Sequence, residues 1–445
     1  MALHTLSTTH GGADDYLVGR RAAWFAFAMT FALMLADYID RQVIVSLFPY
    51  IKSEWGLSDK QLGGLVSVVS VTVALGALPI ALLADRTSRV KSIVAMATVW
   101  SLATISCMFA RNYSLLFTAR SLVGLGEAGY GSVGAALIAS LFPARLRARL
   151  LAAFFAAASV GSVLGVVLGG VIAARWGWQA AFGVVGVPGL VLALLYLKVR
   201  DYKTVDLTPS LAQATGSTTG TVKYVAKALA RSPTMLWVCL GGAAQLIVVS
   251  AVWAWLPSFL NRFHGVAPDR AGILAAVVVL CGAVGSVVWG TVVDRSGVRR
   301  LRNKLFAMAL LCVAAAGVLV PAFAATASFG VQFAFIAIGG FLMTCTVGPV
   351  SAVVADVVHP GVRATGLSVL ALFQNLFGLA AGPFLTGVLS DLYGLKAALA
   401  AAPVLGLLAA AFFVLAARSY EADVRRVEKV DLEVEGSGGA RPALA

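Results

Sequence analysis

Apolar runs of about twenty residues recur along nearly the whole of this 445-residue chain. Each is long enough to cross about 30 Å of hydrocarbon. With 60% hydrophobic residues against 12% charged ones, too little polar surface exists to coat two or three soluble domains, which excludes that class. The sequence predicts an all-α, polytopic membrane protein. Cutting the runs at charged residues and Gly/Pro punctuation gives twelve helices near residues 22–49, 59–84, 91–110, 113–139, 149–174, 179–199, 233–262, 268–293, 303–324, 328–355, 363–389 and 394–418.

Polar intervals divide the chain into an N-terminal tail (1–19), a six-helix half (20–199), a linker (200–232), a second six-helix half (233–418) and a C-terminal tail (419–445). The linker holds the Ser/Thr/Gly stretch Thr215 to Thr221 and a short amphipathic piece around Lys223 to Arg231. Residues 1–19 lack an apolar core, so no cleavable signal peptide is expected and helix 1 does the targeting.

A net charge of +14 would suggest nucleic acid in a soluble domain. Its distribution points elsewhere. Of 34 Lys and Arg, 25 fall on the side holding both termini and the even-numbered connections, 7 on the other side, and two, Arg41 and Arg120, inside helices. The positive-inside rule then places both termini in the cytoplasm. The expected setting is a multi-pass protein of the plasma membrane, or of the inner membrane in a bacterium, with no nucleic-acid partner. The five cysteines lie in apolar segments without CxxC or Cys/His spacing, so neither metal, cofactor nor disulfide framework is implied.

The two halves repeat one another. Leu57-Ser58-Asp59-Lys60-Gln61-Leu62-Gly63 leads into helix 2, and Val266-Ala267-Pro268-Asp269-Arg270-Ala271-Gly272 leads into helix 8. From Gly63 and from Gly272 it is 22 residues to Asp85-Arg86 and Asp294-Arg295, and both landmarks are offset by 209. Pro143 before Arg147 is echoed by Pro360 before Arg363. Two parallel six-helix repeats are the arrangement of transporters that rock one half against the other.

The segments Ala81-Leu82-Leu83-Ala84-Asp85-Arg86-Thr87-Ser88-Arg89-Val90-Lys91 and Gly290-Thr291-Val292-Val293-Asp294-Arg295-Ser296-Gly297-Val298-Arg299 resemble the GxxxDRxGRR signature of the major facilitator superfamily. The first departs from it at Ala81 and Ser88. The resemblance implies a cytoplasmic gate built from Asp85, Arg86, Arg89, Arg147, Asp294, Arg295 and Arg363, in which the acid caps a neighbouring helix and pairs with Arg. An acid is favoured at such a helix start by its orphan N–H groups and positive dipole end. Loop charge that merely sets topology is the plainer alternative. Arg120-Ser121-Leu122-Val123-Gly124-Leu125-Gly126-Glu127-Ala128 in helix 4 and Asp37-Tyr38-Ile39-Asp40-Arg41 in helix 1 resemble the Spinster branch, as do Phe142-Pro143, Trp178-Gln179-Ala180-Ala181-Phe182 and the stretch from Asn375 to Asp391. Organic-anion symporters of the same superfamily share part of this pattern.

Gly124 to Gly129 and Gly129 to Gly134 each satisfy GxGxxG, but both lie inside a spanning helix and follow no strand, so they read as close-packing surfaces and not as dinucleotide sites. Gly161, Gly165, Gly169 and Gly170 in helix 5 read the same way.

Away from helix ends the spans contain five ionised side chains: Asp37, Asp40 and Arg41 in helix 1, Arg120 and Glu127 in helix 4. Each costs at least about 2.5 kcal/mol near the bilayer centre, so their concentration calls for a function. Spacings of three, four and seven put each set on one helix face. Asp37 and Glu127 fall near the midplane, with Arg41 and Arg120 about 9 Å to the outer side. Three acids against two bases leave one carboxylate to be protonated for part of a cycle. Asp40 and Glu127, which match acidic positions of the family resembled, are the expected proton-carrying pair, with Asp37 either a third member or a structural residue. Arg41 is expected to pair with Asp40 in one state and to offer its fork to an anionic substrate in another, with Arg120 as second anion contact and Tyr38 adding a phenol. A permanent ion-pair lattice is the alternative.

The C-terminal half offers an uncharged wall: Gln245, Trp253 and Trp255 in helix 7, Thr344 and Thr346 in helix 10, Gln374 and Asn375 in helix 11, with interfacial anchoring the plainer alternative for the two Trp residues. A cavity charged on one side and apolar on the other suits an amphipathic anion, in keeping with the lysophospholipid and sphingosine-phosphate substrates that the Spinster resemblance implies. His359 reads as a loop residue. A channel is disfavoured by the absence of a charge ring or selectivity-loop sequence, and an intramembrane enzyme by the absence of HExxH, GxSG and GxGD. The expectation is a monomeric, proton-coupled secondary transporter working by alternating access. An organic-anion/proton symporter and an uncoupled facilitator are the alternatives.

Overall fold

The computed structural model describes residues 16–200, 232–298, 300–325, 328–358 and 363–427. The expected linker with its amphipathic piece, most of both tails, Arg299 and His359 lie outside the described residues, as do the side chains of Asp85, Arg86 and Arg363. Among the described residues there are no strands, and twelve helices are long and apolar enough to cross a membrane. They are α1 (Arg20–Trp55), α2 (Asp59–Arg86), α3 (Arg89–Cys107), α4 (Tyr113–Leu141), α5 (Ala144–Trp176), α6 (Trp178–Tyr196), α7 (Pro233–His264), α8 (Pro268–Ser296), α9 (Asn303–Ala324), α10 (Phe329–Val357), α11 (Gly366–Tyr393) and α12 (Leu395–Arg426).

Local chemistry sets the ends. Ser58 opens α2 with a capping box shared with Gln61, and Ser88, Asn112 and Ser232 accept the N3 amide of α3, α4 and α7. Gly56 closes α1 and Gly265 closes α7, both at φ +63°, a left-handed conformation that glycine adopts without strain. The two glycines are again 209 residues apart, so the repeat extends to the turn conformation.

Two helices are interrupted at matching places. In α4 the first segment ends at Glu127 and the second starts at Tyr130, with Gly129 at φ +84° between them. In α10 the segments end at Met343 and restart at Val347. Glu127 and Thr344 stand 217 residues apart, the offset that also relates Pro143 to Pro360. The repeats differ at α11, which holds a π-helical turn over Gln374–Leu379, whereas its counterpart α5 runs uninterrupted.

Glycines bring backbones together within each half. A Cβ at Gly161, Gly165 or Gly169 of α5 would stand 2.6, 2.5 and 2.5 Å from the carbonyl oxygens of Leu35, Ile39 and Val43, so α5 lies directly on α1. Gly382 of α11 approaches the Ile247 carbonyl of α7 in the same manner, and Gly378 lies against the Leu246 side chain.

The halves meet along two seams on the side away from the termini, here the far side. Gly63 of α2 faces Pro383 and Phe384, and Gly387 of α11 faces Asp59 and Lys60. Gly272 of α8 faces Val166, and Gly170 of α5 faces Pro268 and Asp269. Offsets of 209 and 217 map one seam onto the other, as a two-fold axis through the molecule requires. Toward the termini the second segments of α4 and α10 pack against their own halves among the described residues.

Candidate functional site

The five intramembrane charges converge where α4 is interrupted. Asp37 and Arg41 are four residues apart on α1 and so lie one above the other, with Arg41 Nε 3.4 Å from Asp37 Oδ1. Arg41 Nε is also 2.9 Å from Glu127 Oε2, the last residue before the break. Its guanidinium lies over the Tyr38 ring, 5.3 Å from the centroid. One guanidinium therefore serves two carboxyl groups. The Arg41–Glu127 contact is an ion pair without the alignment of a hydrogen bond.

Asp40 belongs to a second group. Adjacent residues on a helix point about 100° apart, and Asp40 faces α3 and α4 instead of sharing Arg41's direction. Arg120 Nη1 donates to Asp40 Oδ1 at 3.3 Å and to the Asp40 carbonyl at 3.4 Å, and the Thr104 hydroxyl donates to Asp40 Oδ2. Both Asp40 oxygens are satisfied. The structure thus brings together all five residues singled out in the sequence, but pairs Arg41 with Asp37 and Glu127, and Asp40 with Arg120.

Exposure separates the roles. Asp37, Asp40, Arg120 and Glu127 are buried, Arg120 at 1%, while the Arg41 side chain retains 18% exposure and Tyr38 is half-buried. Arg41 is the cation with an accessible edge. Arg120 is committed to the α1 backbone and Asp40.

In the C-terminal half the corresponding knot carries no charge. Counting back from Pro49 and Pro257, Gln245 holds the place of Asp37. It is fully buried, and its Nε2 donates at 2.8 Å to the Met343 carbonyl at the break in α10. Thr344, opposite in the repeat to Glu127, donates to the Gly282 carbonyl at 2.7 Å, and Thr346 is buried beside it. Trp253 is half-buried against Gly282 and has no partner for its Nε1. Trp255 is fully buried at the far-side seam, donating to the Pro383 carbonyl at 3.0 Å. Gln374 is half-exposed in the π turn, where the neighbouring Asn375 donates to the Ala371 carbonyl at 2.9 Å. Of the seven residues expected to contact substrate, Arg41, Tyr38, Trp253 and Gln374 keep exposed surface, while Arg120, Gln245 and Trp255 are buried in this conformation.

Of the expected gate on the side of the termini, Asp294, Arg89 and Arg147 make contacts within their own halves among the described residues. Asp294 is 61% exposed and reaches Lys304 of its own half at 3.9 Å, while Lys304 also pairs with Asp356 at 3.5 Å. Asp356 accepts from the Tyr420 hydroxyl at 2.6 Å. Arg89 donates to Ser140 at 3.0 Å and Arg147 to the Phe142 carbonyl at 2.8 Å, again within one half, and Arg295 is exposed.

Sequence reasoning passed over two groups. Thr104 carried no signal, being a hydroxyl in an apolar helix. On the far side Asp59 binds Arg262, Lys52 and Ser390; the available sign was an acid in one repeat where the other has Pro268. Among the described residues no group of His, Cys, Asp and Glu is placed to hold a metal ion.

Twelve spanning helices in two interrupted repeats, closed on one side around a buried charge cluster, define a membrane transporter. The chain belongs to the Major Facilitator Superfamily, which it matches over residues 30–376 and again over 238–441. It is 26% identical over 397 residues to protein spinster homolog 3 of Danio rerio, spanning 84% of this chain and 78% of that one. It is 27% identical over 417 residues to the gallate transporter of Pseudomonas putida, spanning 86% and 91%. The crystal structure of a bacterial homolog to the human lysosomal transporter Spinster, in an inward-facing and occupied conformation, superposes with a TM-score of 0.80 at 23% identity, covering 91% of this chain and 99% of that one. The similarity to the Spinster branch expected from helices 1 and 4 holds, and these relatives are transporters, not enzymes.

Proposed function

We propose that this protein is a proton-coupled secondary transporter that alternates access between the two sides of the membrane and carries an amphipathic anion of lysophospholipid or sphingosine-phosphate type. The observation that carries the reading is the sharing of Arg41 by Asp37 and Glu127. Three carboxyl groups face two guanidinium groups in a buried cluster, so one bound proton makes the cluster neutral. Asp40, with both oxygens satisfied by Arg120 and Thr104, remains paired. The proton therefore belongs to the Asp37–Glu127 pair. When it binds, Arg41 is released from one carboxylate and its accessible edge can take the substrate's anionic group; when it leaves, the carboxylate competes for Arg41 and the anion is expelled.

With the termini in the cytoplasm, as the distribution of Lys and Arg supports, the side closed by the two seams is the outer one, which fits an inward-facing state. In the C-terminal half Trp253 and Gln374 keep exposed surface, and the Trp253 indole suits the apolar part of an amphipathic molecule. A second reading, a small organic anion carried with protons, is favoured by the similarity to the gallate transporter.

Counterflow in proteoliposomes with lysophospholipids, sphingosine phosphate and hydrophilic aromatic carboxylates separates the two. Acceleration by the amphipathic anions alone supports the first reading, and acceleration by the hydrophilic acids alone replaces it with the second. In either case Arg41→Ala is expected to lose at least about tenfold in exchange, since a charge-assisted contact of about 1.5–3 kcal/mol is removed.

A further inference from the structure

The seam between α2 and α11 holds a charge cluster that the proposed coupling site does not use. Asp59, the first residue of α2, is 2% exposed. From the other half Arg262 of α7 grips it with both arms of its fork, Nη1 to Oδ2 at 2.6 Å and Nη2 to Oδ1 at 2.8 Å, and the Ser390 hydroxyl donates to Oδ2. Asp391 of α11 accepts from the main-chain N–H groups of Asp59 and Lys60, each at 2.8 Å. An acid of one half thus caps the first turn of a helix in the other, where orphan donors and the helix dipole favour it.

The second seam lacks all of this. Under the two-fold relation Pro268 replaces Asp59, Ser53 replaces Arg262, and Ala173 and Ala174 replace Ser390 and Asp391. Contact there is made by Gly170 and Gly272 against backbone.

We propose that the Asp59–Arg262–Ser390–Asp391 cluster is an electrostatic latch holding the far side shut, and that only one of the two seams is latched. Every one of these bonds crosses between halves, so opening the far side breaks all of them together. Two of the charged groups have a partner waiting in their own half. Asp59 keeps Lys52, 2.5 Å away on α1, and Arg262 keeps the face of Trp255, 5.9 Å from its guanidinium on α7. The latch can therefore release without stranding Asp59 or Arg262, which lets it cycle. The α5–α8 seam, with no bond of this kind at the matching positions, separates by loss of packing alone. The inference rests on the alternating-access reading, but on neither proton coupling nor substrate identity.

The test is a spin-label distance across the far side, between Ser53→Cys and Tyr393→Cys, both exposed and in opposite halves, in the full-length protein in nanodiscs without substrate. The parent is expected to show a dominant short distance. Asp391→Asn, which removes an exposed charge and leaves no buried ion unpaired, is expected to lower the ratio of short to long distances at least tenfold, and Arg262→Gln to do the same, with Arg262→Lys in between. An unchanged distribution in Asp391→Asn and Arg262→Gln, in protein that elutes as the parent does, overturns the latch. Proton flux through Glu127 is read separately, so failure of the coupling mechanism and failure of the latch are distinguishable.

Discussion

Arg41 stands 2.9 Å from Glu127 and 3.4 Å from Asp37, while Asp40, one residue before it, belongs to Arg120 and Thr104. The spacing of three and four residues showed that these groups share a region of α1, because helical periodicity is local. Which acid takes which Arg was not legible. It depends on how α1, α3 and α4 are rotated against one another, and no pattern within one helix encodes that. Thr104 shows the limit plainly: its hydroxyl satisfies an oxygen of Asp40, yet in sequence it is one polar atom in an apolar run. Thr104→Val leaves that buried oxygen short of a donor and is expected to cost about 1–3 kcal/mol, read as a lowered melting temperature of the purified protein, with Thr104→Ser restoring most of it.

The elements show how repeat and variation share the work. The apolar runs located the twelve helices because crossing a membrane demands length, and the glycines of helix 5 were readable as a packing surface because Gly161, Gly165 and Gly169 recur every four residues. The interruption of helix 4 was not foreseen: Gly129 lies in a run rich in small residues and looks like its neighbours, and only its φ of +84° marks it as a turn. That turn places Glu127 at the end of a helical segment, while the break at the matching place in α10, which has no left-handed residue, presents Thr344 and is tied by Gln245. One half of the molecule thus carries a titratable knot and the other a fixed one. Gly165→Val pushes a side chain into the Ile39 carbonyl and is expected to destabilise the protein by about 1–3 kcal/mol, whereas Gly131→Ala, with open space around it, is expected to lie within about 1 kcal/mol of the parent. Thermal unfolding in detergent compares the two.

For the whole molecule, the two offsets of 209 and 217 foretold paired halves, and the far-side seams obey them. The conformation could not be read from sequence, because the same residues must build both states; the ion pair that buries Asp59 against Arg262 shows the far side closed. Orientation in the membrane is a matter of charge distribution. Single cysteines at Lys396 and Arg425 of a cysteine-free variant are expected to differ, the first labelled by an impermeant maleimide in intact cells and the second only after permeabilisation. Labels reversed between the sites would invert the topology and turn the far side inward. The central claim is that the Asp37–Glu127 pair sharing Arg41 carries the coupled proton. Its most direct measurement is accumulation of substrate driven by an imposed pH gradient in proteoliposomes, run beside counterflow at equal pH. Glu127→Gln and Asp37→Asn are predicted to lose gradient-driven accumulation while retaining counterflow, since neutral side chains leave the cavity in place and remove the titrating group. Accumulation equal to the parent's in both variants would contradict it.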